Sequence, residues 1–172
     1  MNWDHDLSRV RMMPMAGYPL KKDATPEELS ERIVSIRDQV LAFCKEVQAR
    51  RIMIEAYGFA ISQKISMLAE LGGSVKIDLW ENWGVHPQPI NASRARKILL
   101  QQLPKADSKL FTQINVRRLE GPALTWNDDE IDAFVIANAC LMDAGGTAVT
   151  FMGAWPEDGP PTKKKQKPRP IV

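Results

Sequence analysis

Two patterns of apolar residues alternate along the chain, one typical of helices and one typical of strands. Their order limits the fold classes that the chain can adopt. Between residues 25 and 47, apolar residues recur at steps of three and four, which indicates one stripe on a long amphipathic helix. Residues 52–54 form a short apolar run typical of a buried strand, and the run ends at Glu55. Two prolines hold Val85 to Ile90 extended, which indicates a short edge strand. Because helix and strand alternate, we predict an α/β layer with at least one parallel strand pair.

Capping signals mark the beginnings of the first and last helices. Thr25 and Glu28 have the spacing of a capping box, and Pro26 suits the first helical position. Asn127 and Glu130 repeat this spacing ahead of the last apolar stripe. The inner face of that last helix is predicted to carry six residues: Ile131, Phe134, Val135, Asn138, Leu141 and Met142.

The middle of the chain predicts three further helices and one further strand. A second helix is expected to stop at Gly72-Gly73, and the alternating apolar residues at 75–79 predict a strand. Asn91 or Ser93 can then cap a third helix, and a fourth helix follows Asp107-Ser108. This order of helices and strands also predicts an α/β fold.

Three segments are expected in the chain. Residues 1–24 are predicted to be irregular, since prolines and glycine interrupt any periodicity. Residues 25–153 should form one domain, a length that can bury a core. Residues 154–172 are rich in proline and then in basic residues, and we expect them to be disordered.

Composition and the amino-terminal sequence indicate in which cellular compartment the protein is expected. Apolar residues make up 44% of the chain, yet no run approaches the ~20 residues that a membrane span needs. The amino terminus has neither the basic nor the apolar region of a signal peptide. Cys44 and Cys140 fall inside predicted helices and are expected to be buried free thiols, so we predict a cytoplasmic protein. Two histidines, His5 and His86, are too few for a zinc site.

Charge is segregated along the chain, although the net charge is only +2. Residues 91–118 hold seven basic residues and a single acid, Asp107. Residues 162–172 hold five basic residues and no acid, so the tail is interpreted as a DNA tether or a solubilising end. An acidic site beside a basic nucleic-acid track would explain this segregation. Ordinary solvated helix faces are the alternative.

Three carboxylates are candidates for a metal site. Glu55 ends an apolar strand, where open α/β sheets place their ligand crevices. Asp129 and Asp132 are three residues apart, so they share a face of the last helix. Mg²⁺, with Mn²⁺ as a possible substitute, prefers oxygen ligands, and paired ions can hydrolyse phosphodiesters. The alternative for Asp129 and Asp132 is that acids in the first turn of a helix complement its dipole. The alternative for Glu55 is a glutamate at the end of a strand that is exposed to solvent.

Tryptophans offer a second kind of nucleic-acid contact. Trp80, Trp83 and Trp126 could stack on unpaired bases beside a DNA channel. Packing in the core or at its rim is the favoured role for each.

Two segments carry a resemblance to the RuvC family of Holliday-junction resolvases, in particular to its phage-type members. Residues 52–60, Ile-Met-Ile-Glu-Ala-Tyr-Gly-Phe-Ala, resemble the family's second motif, in which a buried strand delivers a glutamate. Residues 127–137 resemble the final motif, Asp-x-x-Asp-Ala at the start of the last helix. Residues 85–109 are similar to the family's stretch of valine and proline, basic helix and further lysine. In this order the resemblance covers roughly residues 25–150.

The resemblance implies a ribonuclease-H-like fold, with a mixed sheet flanked by helices, over residues 25–153. It also implies a homodimer that hydrolyses Holliday junctions or other branched double-stranded DNA with Mg²⁺, for DNA recombination and repair in a bacterial or phage-infected cell. Glu55, Asp129 and Asp132 would be catalytic metal ligands, and Lys109 would act near the scissile phosphate. The residues expected to contact DNA are Arg94, Arg96, Lys97, Lys105 and Lys109.

The family's fold begins with an apolar strand that bears the first catalytic aspartate. Asp4 and Asp6 lie in no such run, so we expect the first strands to be absent or truncated in this chain. Three functions therefore stay open at this point. They are a RuvC-type endonuclease, a non-catalytic protein that binds branched DNA, and a helix-rich interaction protein whose acids are caps.

Overall fold

The computed structural model describes residues 11, 13, 24–56, 63–119, 125–146, 150, 152–157 and 159. Within them the chain forms five helices and two short strands. Their order is α1 (Pro26–Glu46), β1 (Met53–Glu55), α2 (Gln63–Trp83), β2 (Gln88–Ile90), α3 (Ala92–Leu100), α4 (Ser108–Arg117) and α5 (Asp128–Asp143). The described helices include none that is long and apolar enough to cross a membrane. The predictions for most of residues 1–24, and for residues 160–172, lie outside the described residues.

The predicted capping boxes are present at α1 and α5. The Thr25 hydroxyl accepts a hydrogen bond from the Glu28 amide at 3.2 Å, and the Glu28 carboxylate accepts one from the Thr25 amide at 3.0 Å. At α5 the Asn127 side chain accepts from the amides of Asp129 and Glu130, and Glu130 accepts from the Asn127 amide at 2.7 Å. These bonds satisfy amides that have no partner inside the helix, and so they fix where each helix begins.

The two strands form a parallel pair, which confirms the α/β prediction in its coarse form. α2 is the crossover between the strands, since parallel neighbours need a long connection. The pairing extends one residue beyond each end of β1: the Gln88 amide donates to the Ile52 carbonyl at 2.9 Å, and the Ala56 amide donates to the Ile90 carbonyl at 2.7 Å. The paired residues are Met53 with Gln88, Ile54 with Pro89, and Glu55 with Ile90.

The prediction that a helix stops at Gly72-Gly73 and a strand follows is wrong, because α2 runs without a break to Trp83. Val75 and Leu79 are buried, with 5% and 0% exposed, whereas Ile77 is 58% exposed. Val75 and Leu79 belong to the alternating pattern, but they are also four positions apart and therefore share one face of a helix. Each glycine in a helix costs about 1 kcal/mol relative to alanine, and the packing of α2 against α1 offsets this.

The main core lies between α3, α4 and α5, below the end of β2. α3 and α5 pack most closely, and Trp126, just before α5, closes one end. Leu141 and Met142, predicted on the inner face of α5, are 47% and 51% exposed, so that prediction is wrong for the last turn. The core consists of Ile90, Ala95, Leu99, Leu100, Phe111, Val116, Trp126, Ile131, Phe134, Val135 and Ala139.

The α1–α2 pair forms a second and thinner packing unit. α1 buries only Cys44, although its apolar stripe runs the length of the helix. An ion pair between the Arg37 Nε and Asp78 Oδ2 atoms, 3.1 Å apart, joins the two helices at the surface. Cys44 is a buried free thiol, as predicted, whereas Cys140 on α5 is only partly buried. Burial raises the pKa of both thiols.

Candidate nucleic-acid interface

Asp132 lies between two cations contributed by different helices. Its Oδ2 atom is 2.9 Å from the Nζ atom of Lys109 on α4, and its Oδ1 atom is 3.3 Å from a guanidinium nitrogen of Arg96 on α3. The core fixes this arrangement, since Ala95 and Ile131, the residues before Arg96 and Asp132, are fully buried. The side chain of Arg96 is only 11% exposed, that of Asp132 is 21% exposed, and that of Lys109 is 51% exposed.

Asp132, Arg96 and Lys109, here called the Asp132 cluster, keep an excess of positive charge. The hydrogen bond from Lys109 to Asp132 raises the pKa of the lysine, so Lys109 is protonated at neutral pH. Arginine is always charged in proteins. The single negative charge of Asp132 therefore offsets only one of the two positive charges of Arg96 and Lys109. The half-exposed lysine presents the remaining positive charge to solvent.

Three further cations predicted to contact DNA lie at the surface of α3 and of the loop that follows it. Arg94 and Lys97 are exposed on α3, and Lys105 is exposed in the loop between α3 and α4. Among the described residues, none of these three forms an ion pair. The five predicted residues therefore divide into two sets, because Arg96 and Lys109 are engaged with Asp132. We call the five together the basic surface: Arg94, Arg96, Lys97, Lys105 and Lys109.

The carboxylates predicted as metal ligands do not form a ligand set. Glu55 is exposed at the end of β1, and Asp129 is exposed on the first turn of α5. Both oxygens of Asp132 face cations. Within the part of the chain that is described, no three His, Cys, Asp or Glu side chains come together to hold a metal ion.

The first turn of α5 uses its other acids locally. Asp128 pairs with Arg117 at the end of α4, and both side chains are about half exposed. Acids in a first turn also complement the helix dipole. The capping box therefore accounts for Glu130, and the ion pair with Arg117 accounts for Asp128.

Residues 152–157 line a second feature that the sequence did not predict. The Gly153 amide donates to the Leu100 carbonyl at 3.3 Å, and the Gln102 side chain donates to the Gly153 carbonyl at 2.7 Å. The Ala154 amide donates to the Asn115 side chain at 2.9 Å. These bonds fasten the segment across the ends of α3 and α4, within the region predicted to begin the tail.

A cleft of about 270 Å³ lies between this segment and the loop that joins α3 to α4. The rings of Phe111 and Trp155 meet edge to face, with centroids 4.9 Å apart. Gly153 permits the close approach, since a Cβ atom there would lie 2.6 Å from the Phe111 ring. We call this the Trp155 cleft, lined by Gln102, Leu103, Pro104, Phe111, Gly153, Ala154 and Trp155. An aromatic residue close after a glycine is the only sequence signal for it.

The tryptophans singled out from the sequence have different surroundings. Trp126 is 7% exposed and packs against Phe134 with ring centroids 5.1 Å apart, so it is a core residue. Trp80 is 50% exposed and stacks on His86 at 3.7 Å. His86 in turn lines a cleft at the start of the two strands, beside Arg51 and the end of α5.

The chain matches no protein-family model, and it has no significant similarity to a curated protein or to a solved structure.

Proposed function

We propose that this protein binds the phosphate backbone of branched DNA through the basic surface. The observation that carries the proposal is the position of Arg94, Lys97 and Lys105, which are exposed and unpaired among the described residues. Lysine and arginine contacts to phosphates release counterions and supply most of the nonspecific affinity for DNA. Contacts of this kind position a protein on DNA without reading its sequence.

The choice of branched DNA comes from the resemblance to RuvC-type resolvases. Such a protein would have a ribonuclease-H-like fold and would act as a homodimer. Two features support this fold: a parallel strand pair joined by a helix, and the packing of α5 against β1. A dimer would present two basic surfaces, as a symmetric junction requires.

The first experiment measures binding to a labelled four-way junction and to a linear duplex across a series of salt concentrations. The double variant Arg94→Gln/Lys97→Gln should bind at least tenfold more weakly at moderate salt. Its plot of log affinity against log salt should be shallower by roughly two units, because two phosphate contacts are lost.

The matched control removes two exposed cations elsewhere, with Lys45→Gln/Arg50→Gln at the end of α1 and just beyond it. This variant has the same net charge as the first and should keep the wild-type affinity and salt slope. Equal weakening in both variants would mean that overall charge, and not the basic surface, holds the DNA. Absence of binding by the wild-type protein would overturn the proposal.

Asp132→Asn gives a second test with the opposite sign. Loss of the carboxylate frees Arg96 and Lys109 and removes a charge that repels phosphate, so DNA binding should tighten several-fold. Thermal unfolding of the variant should be followed alongside, since Asp132 is largely buried. Weaker binding with unchanged stability would show that Asp132 has another role.

A Mg²⁺-dependent endonuclease of the RuvC type is the second candidate. The feature that favours it is the contact between α5, which bears Asp129 and Asp132, and β1, which ends at Glu55. Junction nicking should be scored with Mg²⁺ or Mn²⁺ in the same samples. Nicking that is abolished by both Glu55→Gln and Asp132→Asn would establish the enzyme. Binding without nicking would leave the binding function alone.

A further inference from the structure

We infer that the Trp155 cleft receives one unpaired base of the bound nucleic acid. The inference deepens the proposed function and depends on it, because the basic surface would bring the DNA to this part of the molecule. The loop between α3 and α4 joins the two features: Lys105 of the basic surface directly follows Pro104, which lines the cleft.

The walls of the cleft have the chemistry that a nucleobase needs. Leu103, Pro104, Phe111 and Trp155 provide apolar and aromatic surface, and the Gln102 amide supplies a polar group at one side. Stacking on an aromatic ring accepts any base, since every base has a π-face. The volume of about 270 Å³ lies just below the lower end, about 300 Å³, for pockets that hold drug-sized ligands. A ligand the size of a single base suits such a cleft.

The cations at the rim select a nucleic acid over an apolar peptide. Lys105 directly follows Pro104 and is exposed. The Arg118 guanidinium donates to the carbonyl of Ala154, a lining residue, at 3.0 Å and is also exposed, so a second cation adjoins the cleft. The phosphates that flank an inserted base would have these positive charges within reach, a complementarity that an apolar peptide would not use.

The cleft is preorganised rather than formed by the ligand. Gly153 and Ala154 are fixed by four hydrogen bonds to α3, α4 and the residues that follow them. The edge-to-face contact with Phe111 holds the Trp155 ring. Walls that are ordered in advance reduce the entropy cost of binding.

The experiment compares a duplex that carries one unpaired 2-aminopurine with a fully paired duplex of the same length. Wild-type protein should bind the first about tenfold more tightly and should quench the fluorescence of the unpaired base. Trp155→Ala should abolish that preference and the quenching, while binding to the paired duplex stays within about twofold. Trp155→Phe should retain most of both, because it keeps an aromatic face.

Trp80→Ala is the matched control, since Trp80 is a half-exposed aromatic residue on α2 that stacks on His86. It should behave as wild type. If Trp155→Ala proves unfolded by circular dichroism, the wild-type quenching and the Trp155→Phe result still decide the matter. Wild-type protein that binds both duplexes equally, with the base still bright, would overturn the inference and leave backbone binding intact. No binding to either duplex would overturn both.

Discussion

The α3–α5 region and the α1–α2 pair carry similar sequence patterns but bury very different amounts of surface. α5, with 16 residues, has five buried residues, whereas α1, with 21 residues, has one. Both helices begin with a capping box, and both carry an apolar stripe. The difference lies in their neighbours, because α5 packs on α3, α4 and β1, and α1 packs mainly on α2.

This difference shows that an amphipathic stripe specifies a helix but not its depth in the protein. Most helical stability in proteins comes from tertiary packing. α1 has little of it, so local features such as the capping box and Pro26 contribute a larger share there. The basic surface and the Trp155 cleft both lie on the helices that form the main core.

The largest expected effect comes from paired truncations in the two regions. Leu99→Ala, at a fully buried position of α3, should lower the free energy of unfolding by about 2–5 kcal/mol. Ile36→Ala, at a half-buried position of α1, should cost roughly 1 kcal/mol, because less apolar area is lost. Urea denaturation measures both. Equal losses would show that α1 is packed as tightly as α3.

Removal of the helix-capping side chains should lower stability less than the core truncations do. Its effect should be global for α5 and local for α1. Asn127→Ala deletes the side chain that caps α5 and should cost about 1 kcal/mol of global stability. Thr25→Ala removes the corresponding cap of α1, and we expect it to act mainly on that helix, as faster amide exchange along α1. Global destabilisation by Thr25→Ala, with all amides affected alike, would contradict this separation.

The smallest effect is expected for the ion pair between α1 and α2. Asp78→Asn should lower the unfolding temperature at low salt by less than either cap removal, since the partner Arg37 is partly solvated. The loss should shrink at high salt, because mobile ions screen the pair. Thermal unfolding at two ionic strengths measures this. A salt-independent loss of several kcal/mol would identify the pair as a principal link between the helices.

Local signals in the sequence predict most of the fold. Thr25, Asn91 and Asn127 cap helices where their spacing indicated, and the run before Glu55 forms a strand. The error in α2 has a physical cause: residues 75–79 fit both periodicities, and only packing against α1 selects the helix. Sequence spacing alone does not contain that contact.

The candidate site was less predictable than the fold. The sequence indicated that Arg96, Lys109 and Asp132 matter, but not that both cations would form ion pairs with the same carboxylate. Their meeting depends on the angle at which α3, α4 and α5 pack, which spacing along one helix does not determine. The position of Trp155 likewise depends on contacts between distant parts of the chain.

The prolines of β2 decide on which side the sheet can grow. The Gln88 amide points toward β1, so the ring nitrogens of Pro87 and Pro89, one residue to either side, face the outer edge. Proline has no N–H, and a further strand on that side would find no donors at these positions. The outer edge of β2 is therefore protected against strand addition and edge-to-edge aggregation. Any additional strand of this sheet has to pair with β1.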